Sequence, residues 1–304
     1  MKILIAGGSG FLGNALTASL KTNGHETFIL TRRQSENSRQ IHWDGRTTAG
    51  WSHIINEVDA VINLTGFGLD HFPWTPRQKK RFVDSRVQPG LALVAAIKES
   101  TRPPGIFIQQ SGINYYGLRG DSIADESTPP ADDFLAQLTV KWEAATQPVE
   151  ELGLRRVIVR TAVVLDKRGG LFPLMALPAR FFFGGKLGTG QQAMPWIHLD
   201  DWVNAILFLL KSESARGAYN LIAPQPVNNA DFMRAVAKTL KRPYWFHVPA
   251  FLLKTVLGEM NVLILEGRFA QPKRLIESGY RYQFEALEDA LSICLDKVKK
   301  ENSK

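Results

Sequence analysis

The stretch "KILIAGGSGFLGNALTASL", residues 2–20, decides the fold. "KILIAG" (2–7) is an apolar run of strand type, and the residues from Phe11 onward repeat with helical spacing. Between them Gly7, Gly10 and Gly13 stand three apart, in a G-x-x-G-x-x-G pattern. A strand, a glycine turn and a helix in that order suit a dinucleotide. The glycines permit the tight turn, bring the backbone close to a pyrophosphate and let the helix pack on the strand. The helix N-terminus then offers unsatisfied N–H groups to the phosphates. A βα turn that binds nothing shares this local shape, so the pattern around it has to decide.

Moving outward, "ETFILTR" (26–32), "RQIHWD" (39–44), "DAVINLTG" (59–66), "GIFIQQS" (105–111) and "RRVIVRTAVVL" (155–165) read as further strands. Helical stretches separate them, including one long helix through "TPRQKKRFVDSRVQPGLALVAAIKES" with an irregularity expected at Pro89, and a helix holding "FLAQLTVKWE" (134–143). Strands alternating with helices of this length imply right-handed crossovers and a parallel sheet covered on both faces. The expected class is α/β: a Rossmann-type doubly wound parallel sheet with a smaller, mainly helical C-terminal region on the substrate side. Residues 1–225 are assigned to the nucleotide-binding domain, with 166–200 contributing to the substrate side, and 226–304 to the C-terminal region. "MPWIHLDDWVNAILFLLKS" reads as a short extended piece entering an amphipathic helix, with Asp200 and Asp201 at its N-terminal end.

Composition sets the bounds. A 304-residue chain that is 44% hydrophobic and 22% charged is ordinary for a folded globular protein. The sole cysteine, Cys294, excludes an internal disulfide, suits a reducing compartment and reads as packing filler. No signal peptide is expected before the first strand, and "FLLKTVLGEMNVLILEG" is interrupted by Lys254 and Glu259 before it is long enough to span a bilayer. A cytoplasmic location without membrane partners is expected. The net charge of +8 is dispersed, and its two clusters, "RQKKR" (77–81) and "KVKKENSK" (297–304), read as a helix face and a frayed tail. Without aromatics interleaved among the cations, nucleic acid is not the expected partner. A small-molecule substrate is; no metal site is expected, and the oligomeric state is open.

Cofactor choice is read where the second strand ends. Thr31, Arg32 and Arg33 fall 18 to 20 residues after Gly13, where an NAD enzyme places an acid for the ribose 2′-hydroxyl. Guanidiniums cannot accept from a hydroxyl, but they match a 2′-phosphate, so NADP(H) is expected over NAD(H). A pair of solvated loop arginines is the alternative. Leu64, Thr65 and Gly66 end the fourth strand on the ligand-binding edge, and Arg86 in the next helix either reaches the cofactor or is exposed.

"AGGSGFLG", "NLTG", "SGINYYG" and "WIHLDD", in this order, resemble the extended short-chain dehydrogenase/reductases, a superfamily of nucleotide-sugar epimerases and dehydratases. The finer resemblance is to its atypical, epimerase-like branch, through Ser85–Arg86, "YYG" (115–117), "KWE" (141–143), "PWIH" (195–198) and the series "RP…VP…GE…QPKRL…GY…F…LE…AL" from Arg242 to Leu291. The resemblance implies an NADP-dependent oxidoreductase or epimerase acting on a small hydroxyl- or carbonyl-bearing substrate, in analogy a nucleotide sugar. It implies cofactor contacts at Gly7, Gly10, Phe11, Leu12, Thr31, Arg32, Leu64, Thr65 and Arg86. It also implies a catalytic serine, tyrosine and lysine, the lysine, here Lys141, also binding the cofactor through the nicotinamide ribose. Ser111 and Lys141 match the serine and lysine, but Gln137 occupies the tyrosine position four residues before Lys141. Glutamine cannot exchange a proton at neutral pH, so the proton-transfer role passes to Tyr115 or Tyr116, with Tyr116 taken as the candidate, or to His198, or is lost. In the last case the chain is a non-catalytic NADP(H)-binding or sensing protein.

Overall fold

The structure, a computed structural model, describes residues 1–120 and 122–296; the basic tail "KVKKENSK" lies outside the described residues. Seven strands form the main sheet: β1 (Lys2–Ala6), β2 (Glu26–Thr31), β3 (Gln40–His42), β4 (Ala60–Asn63), β5 (Ile106–Gly112), β6 (Arg155–Thr161) and β9 (Gly217–Leu221). Their spatial order is β3-β2-β1-β4-β5-β6-β9, and every pairing is parallel. The chain leaves β1 toward β2 and β3, then returns to build β4 on its other side. The C-terminal ends of β1 and β4 therefore flank the topological switch point, where open α/β sheets bind ligands.

Burial explains the strand composition. Ile3, Leu4, Ile5 and Ala6 are all fully buried, because helices cover both faces of the sheet. On one face α1 (Phe11–Thr22) and α5 (Leu199–Lys211) pack through Leu16, Leu20, Trp202 and Ile206. On the other, α2 (Pro76–Glu99) contributes Ala92, Leu93, Ala96 and Ile97 beside Trp51, Ile54 and Ile55. Helix α2 begins where Thr75 accepts from the Gln78 amide and Pro76 supplies a preset φ. It continues through Pro89, whose ring is buried, so the expected irregularity does not end the helix. Helix α3 (Phe134–Ala144) starts where the Asp133 carboxylate accepts from the amides of Leu135 and Ala136 at 2.9 and 3.0 Å.

Two expectations need correction. The run 155–165 is not one strand: after β6 the chain breaks step at Ala162, and β7 (Val163–Leu165) pairs with β8 (Trp196–His198) in a separate two-stranded sheet. Strand β9 was not anticipated, since "GAYNL" has no β-branched residue and opens on glycine. Beyond it, α4 (Phe172–Arg180), α6 (Asn229–Thr239) and α10 (Leu287–Asp296) enclose a second hydrophobic cluster built around Phe172, Phe232, Phe284 and Leu291. Shorter helices α7 (Ala250–Leu257), α8 (Val262–Leu265) and α9 (Lys273–Glu277) complete this region. Buried Asp201 ties it to the first core, accepting from the amides of Gln283 and Phe284 and from the Tyr280 hydroxyl.

Candidate functional site

At the switch point the backbone of β1 and β4 comes together. Gly7 has φ +80, and a Cβ there would stand 3.0 Å from the carbonyl carbon and oxygen of Leu64. Gly13 is needed for a different reason: its Cβ would lie 2.4 Å from the Gly7 carbonyl oxygen, because the first turn of α1 sits directly on the glycine loop. Gly10 begins α1 with no side-chain cap, and the first turn carries no acid. The amides of Phe11, Leu12 and Gly13 have no intrahelical acceptor by geometry and present the positive end of the helix to the crevice. Across it, Asn63 Oδ1 accepts from the Thr65 amide and hydroxyl, which fixes the turn through Leu64, Thr65 and Gly66.

A cleft of about 1090 Å³ opens here, lined by Gly7, Gly10, Thr31, Arg32, Leu64, Thr65 and Gly66 among others. Arg32 reaches it; Arg33 does not line it and is exposed, with its amide bonded to Thr31 Oγ1 at 3.2 Å. The other cations at the cleft came from segments not assigned to the site. Arg46 follows β3 in a loop held by Asp44, which accepts from the amides of Arg46 and Thr47 at 2.7 and 2.8 Å. Those hydrogen bonds hold the Asp44 carboxyl below its usual range. Arg77, Lys80 and Arg81, three of the four cations of "RQKKR", line the same cleft from α2, while Lys79 pairs with Glu259. The signal for Arg46 was available, since the end of every parallel strand points to this edge.

Arg86 is neither exposed nor at the cleft mouth. It is 7% exposed, donates to the carbonyls of Phe67 and Phe82 at 2.9 and 3.1 Å, and lies 4.8 Å over the Trp142 ring. No carboxylate among the described residues pairs with it, and burial lowers its pKa to about 10. A guanidinium buried without a counter-ion is costly, and an anion in the crevice would relieve that cost.

Beyond Arg86 a second cavity of about 290 Å³ holds the chemistry-bearing face, with walls that include Phe11, Leu12, Ser111, Leu135, Thr139 and Trp142. Ser111, next to last in β5, donates to Glu143 Oε1 at 2.6 Å; Arg160 binds both oxygens of that carboxylate at 2.9 Å. The Ser111 hydrogen is therefore committed, and its oxygen remains as an acceptor. Gln110 Oε1 and Trp142 Nε1, both in this wall, have no hydrogen-bond partner among the described residues.

The helix opposite Ser111 is where the expected site changes most. Helix α3 turns Leu135, Leu138, Thr139 and Trp142 toward the cavity. Lys141 and Gln137 are exposed, and the Gln137 amide donates to the Ala131 carbonyl instead. At 100° per residue, Lys141 lies about 110° and Gln137 about 150° from the centre of the cavity-facing stripe. The i, i+4 pair that shares a face with Ser111 is Leu135 and Thr139, and neither can move a proton at neutral pH. The assignment of Lys141 to the site does not fit this geometry.

Tyr116 is also brought elsewhere. It is 1% exposed, donates to Asn220 Oδ1 at 2.7 Å, accepts from Arg160 at 3.0 Å and lines neither cavity. Burial pushes its phenol up to about 12, opposed by Arg160, which is the wrong direction for a base. Burial works against the charge of Arg160, yet Glu143 and Tyr116 together hold its pKa above the ordinary value. His198 caps α5, accepting from the Asp200 amide at 3.1 Å, with its ring 4.0 Å from that of Phe284; it too lines neither cavity.

Comparison with known proteins gives the same outline. Residues 3–221 match the model of the NAD dependent epimerase/dehydratase family, and residues 248–293 match one described as Domain of unknown function (DUF1731). The chain is 36% identical over 300 residues to the epimerase family protein YfhF of Bacillus subtilis, covering 96% of this chain and 97% of that one. It is 36% identical over 296 residues to the epimerase family protein SDR39U1 of Bos taurus, covering 96% and 98%. A crystal structure of human SDR39U1 (isoform 2) with NADPH superposes with a TM-score of 0.88 at 30% identity, covering 98% of this chain and all of that one.

Proposed function

Because the chain belongs to the NAD dependent epimerase/dehydratase family, we propose that it binds NADP(H) across the switch point and uses it on a small hydroxyl- or carbonyl-bearing substrate held at Ser111. The observation that carries the cofactor half is Arg86, buried with no carboxylate partner among the described residues, in a cavity wall it shares with Phe11 and Leu12 of the uncapped α1 N-terminus. A pyrophosphate supplies the missing anion, and its oxygens accept from the amides at the start of α1. Arg32 and Arg46, which both line the cleft, support 2′-phosphate recognition and hence preference for NADP(H). The NADPH in the human structure at 30% identity is in line with this. Once bound, the cofactor exchanges a hydride with a carbon of the substrate.

The chain's own part in the reaction is orientation. Glu143 takes the Ser111 hydrogen, so Ser111 receives a hydrogen bond from a substrate hydroxyl rather than giving one. Leu135, Leu138 and Trp142 give the cavity an apolar wall. Among the described residues no side chain equivalent to the superfamily's tyrosine lines it, so the proton leaves to solvent or to the substrate's own groups.

Titration calorimetry with NADPH and NADH tests the reading. Arg32→Ala weakens NADPH about tenfold or more, roughly 1.4 kcal/mol, and NADH less than about twofold; equal loss of both would sink the 2′-phosphate assignment. A second reading, NADP(H) binding without turnover, is favoured by Leu135 and Thr139. It is the outcome if the protein binds NADPH tightly but Ser111→Ala changes no measurable oxidation of it with any carbonyl compound.

A further inference from the structure

Outside the residues that line the two cavities, the C-terminal half displays several aromatic residues outward. Phe181, Phe182 and Phe183 follow α4 and are 64%, 53% and 50% exposed; Trp245 and Phe246 are 59% and 39% exposed. They form one surface: the Phe183 ring centroid lies 6.3 Å from Trp245 and 5.6 Å from Phe246, and Trp245 Nε1 donates to the Phe182 carbonyl at 2.9 Å. Phe182 holds φ +69, a conformation that a bulky side chain adopts only at a cost in strain. On α4, Leu174 and Leu177 continue the surface at helical spacing toward Phe181, while Phe172, Ala176 and Ala179 face the core. Helix α7, "AFLLKTVL", follows the Trp245 segment without one buried residue, and its Phe251 is 71% exposed.

The charge around this surface is predominantly positive. Residues 172–199 and 231–259 contain Arg180, Lys186, Arg234, Lys238, Lys241, Arg242 and Lys254 against two acids, Asp231, which pairs with Arg234 at 2.6 Å, and Glu259, which pairs with Lys79. Arg242 lies 4.2 Å over the Phe182 ring, so cation and aromatic are presented together. A second copy of this chain would bring like charges face to face, whereas an anionic surface would be complementary. No described helix is long and apolar enough to cross a membrane. Exposed aromatics rimmed by lysine and arginine suit the interfacial layer of a bilayer with acidic headgroups.

We propose that the Phe181–Phe183 and Trp245–Phe246 surface, with α7 beside it, docks this protein onto the surface of an anionic lipid bilayer. The aromatics enter the headgroup layer, and the surrounding cations hold the protein there. None of these residues lines the cofactor cleft.

Co-sedimentation of the full chain with vesicles tests this. Vesicles of equal parts phosphatidylglycerol and phosphatidylcholine should carry the protein down, pure phosphatidylcholine at least tenfold less, and ~0.5 M salt should release much of it by screening. Phe181→Ser with Phe251→Ser should reduce partitioning tenfold or more, and Lys241→Glu with Lys254→Glu should do so only on the anionic vesicles. NADPH binding and the thermal transition serve as the folding control for both pairs. Failure to sediment with the anionic vesicles at low salt would overturn the proposal, as would sedimentation unchanged by both pairs of substitutions. A dimer in vesicle-free solution that the phenylalanine substitutions dissolve would also overturn it, since the surface would then belong to a second copy.

Discussion

Single positions at the crevice carry distinct physical burdens, and each can be probed alone. A Cβ at Gly13 would meet the Gly7 carbonyl oxygen at 2.4 Å, so Gly13→Ala must push α1 off its loop. NADPH binding should be lost and the thermal midpoint lowered; a midpoint and affinity like the parent's would mean that the loop yields. Arg86→Leu removes the buried charge and should weaken NADPH by about ten- to a hundredfold, the scale of a hydrogen bond to a charged group. Affinity unaffected by that change would remove Arg86 from the phosphate site. Glu143→Ala leaves Arg160 buried without its carboxylate and should cost about 3–5 kcal/mol in denaturant unfolding. Arg86 was legible in the sequence only as a cation near the cofactor edge. Its burial depends on Phe67, Phe82 and Trp142, which meet only in the folded chain.

The elements differ in how plainly they could be read. Strand β1, the glycine turn and α1 are contiguous, so their pattern contains its own context. Strand β9 is held by pairing with β6 across more than fifty residues, and nothing in "GAYNL" announces it. For α3 the information was present but depended on phase. Leu135, Leu138 and Trp142 recur at i, i+3 and i+7, and that stripe, not the lysine, marks the face turned to Ser111. The expected consequence is that Lys141→Ala and Gln137→Ala each change NADPH affinity by less than about twofold and stability by less than about 0.5 kcal/mol. Thr139→Trp, which fills the second cavity, should instead block binding of the whole dinucleotide while leaving 2′-phosphoadenosine fragments nearly unaffected, as fragment and full-length titrations would read. Loss of affinity in Lys141→Ala would return the lysine to the site.

Across the molecule, buried phenols give the fold an alkaline limit. Tyr116 is pushed up to about 12 by burial, and burial likewise raises Tyr280 and Tyr282. The sign follows from proton counting: above the unfolded value near 10, the unfolded chain has released protons that the folded chain still holds. Stability due to these groups is complete below pH ~10 and falls as pH rises toward the folded values. Tyr116→Phe should reduce the slope of unfolding free energy against pH between about 10 and 12 by one proton. An unchanged slope would mean that this phenol titrates normally.

The second hydrophobic cluster has a consequence for the order in which the protein can be made. It joins Leu165 and Phe172 to Phe284, Leu291 and Leu295, more than a hundred residues later. The sheet strands β1 to β6 are all available for pairing while the chain is still being synthesised, and the dinucleotide crevice needs none of the last forty residues. The inner face of α4 has no cover from α10 until synthesis is nearly finished. A nascent chain can thus acquire its nucleotide before its C-terminal half has closed, and bound nucleotide would steady the first half during that wait.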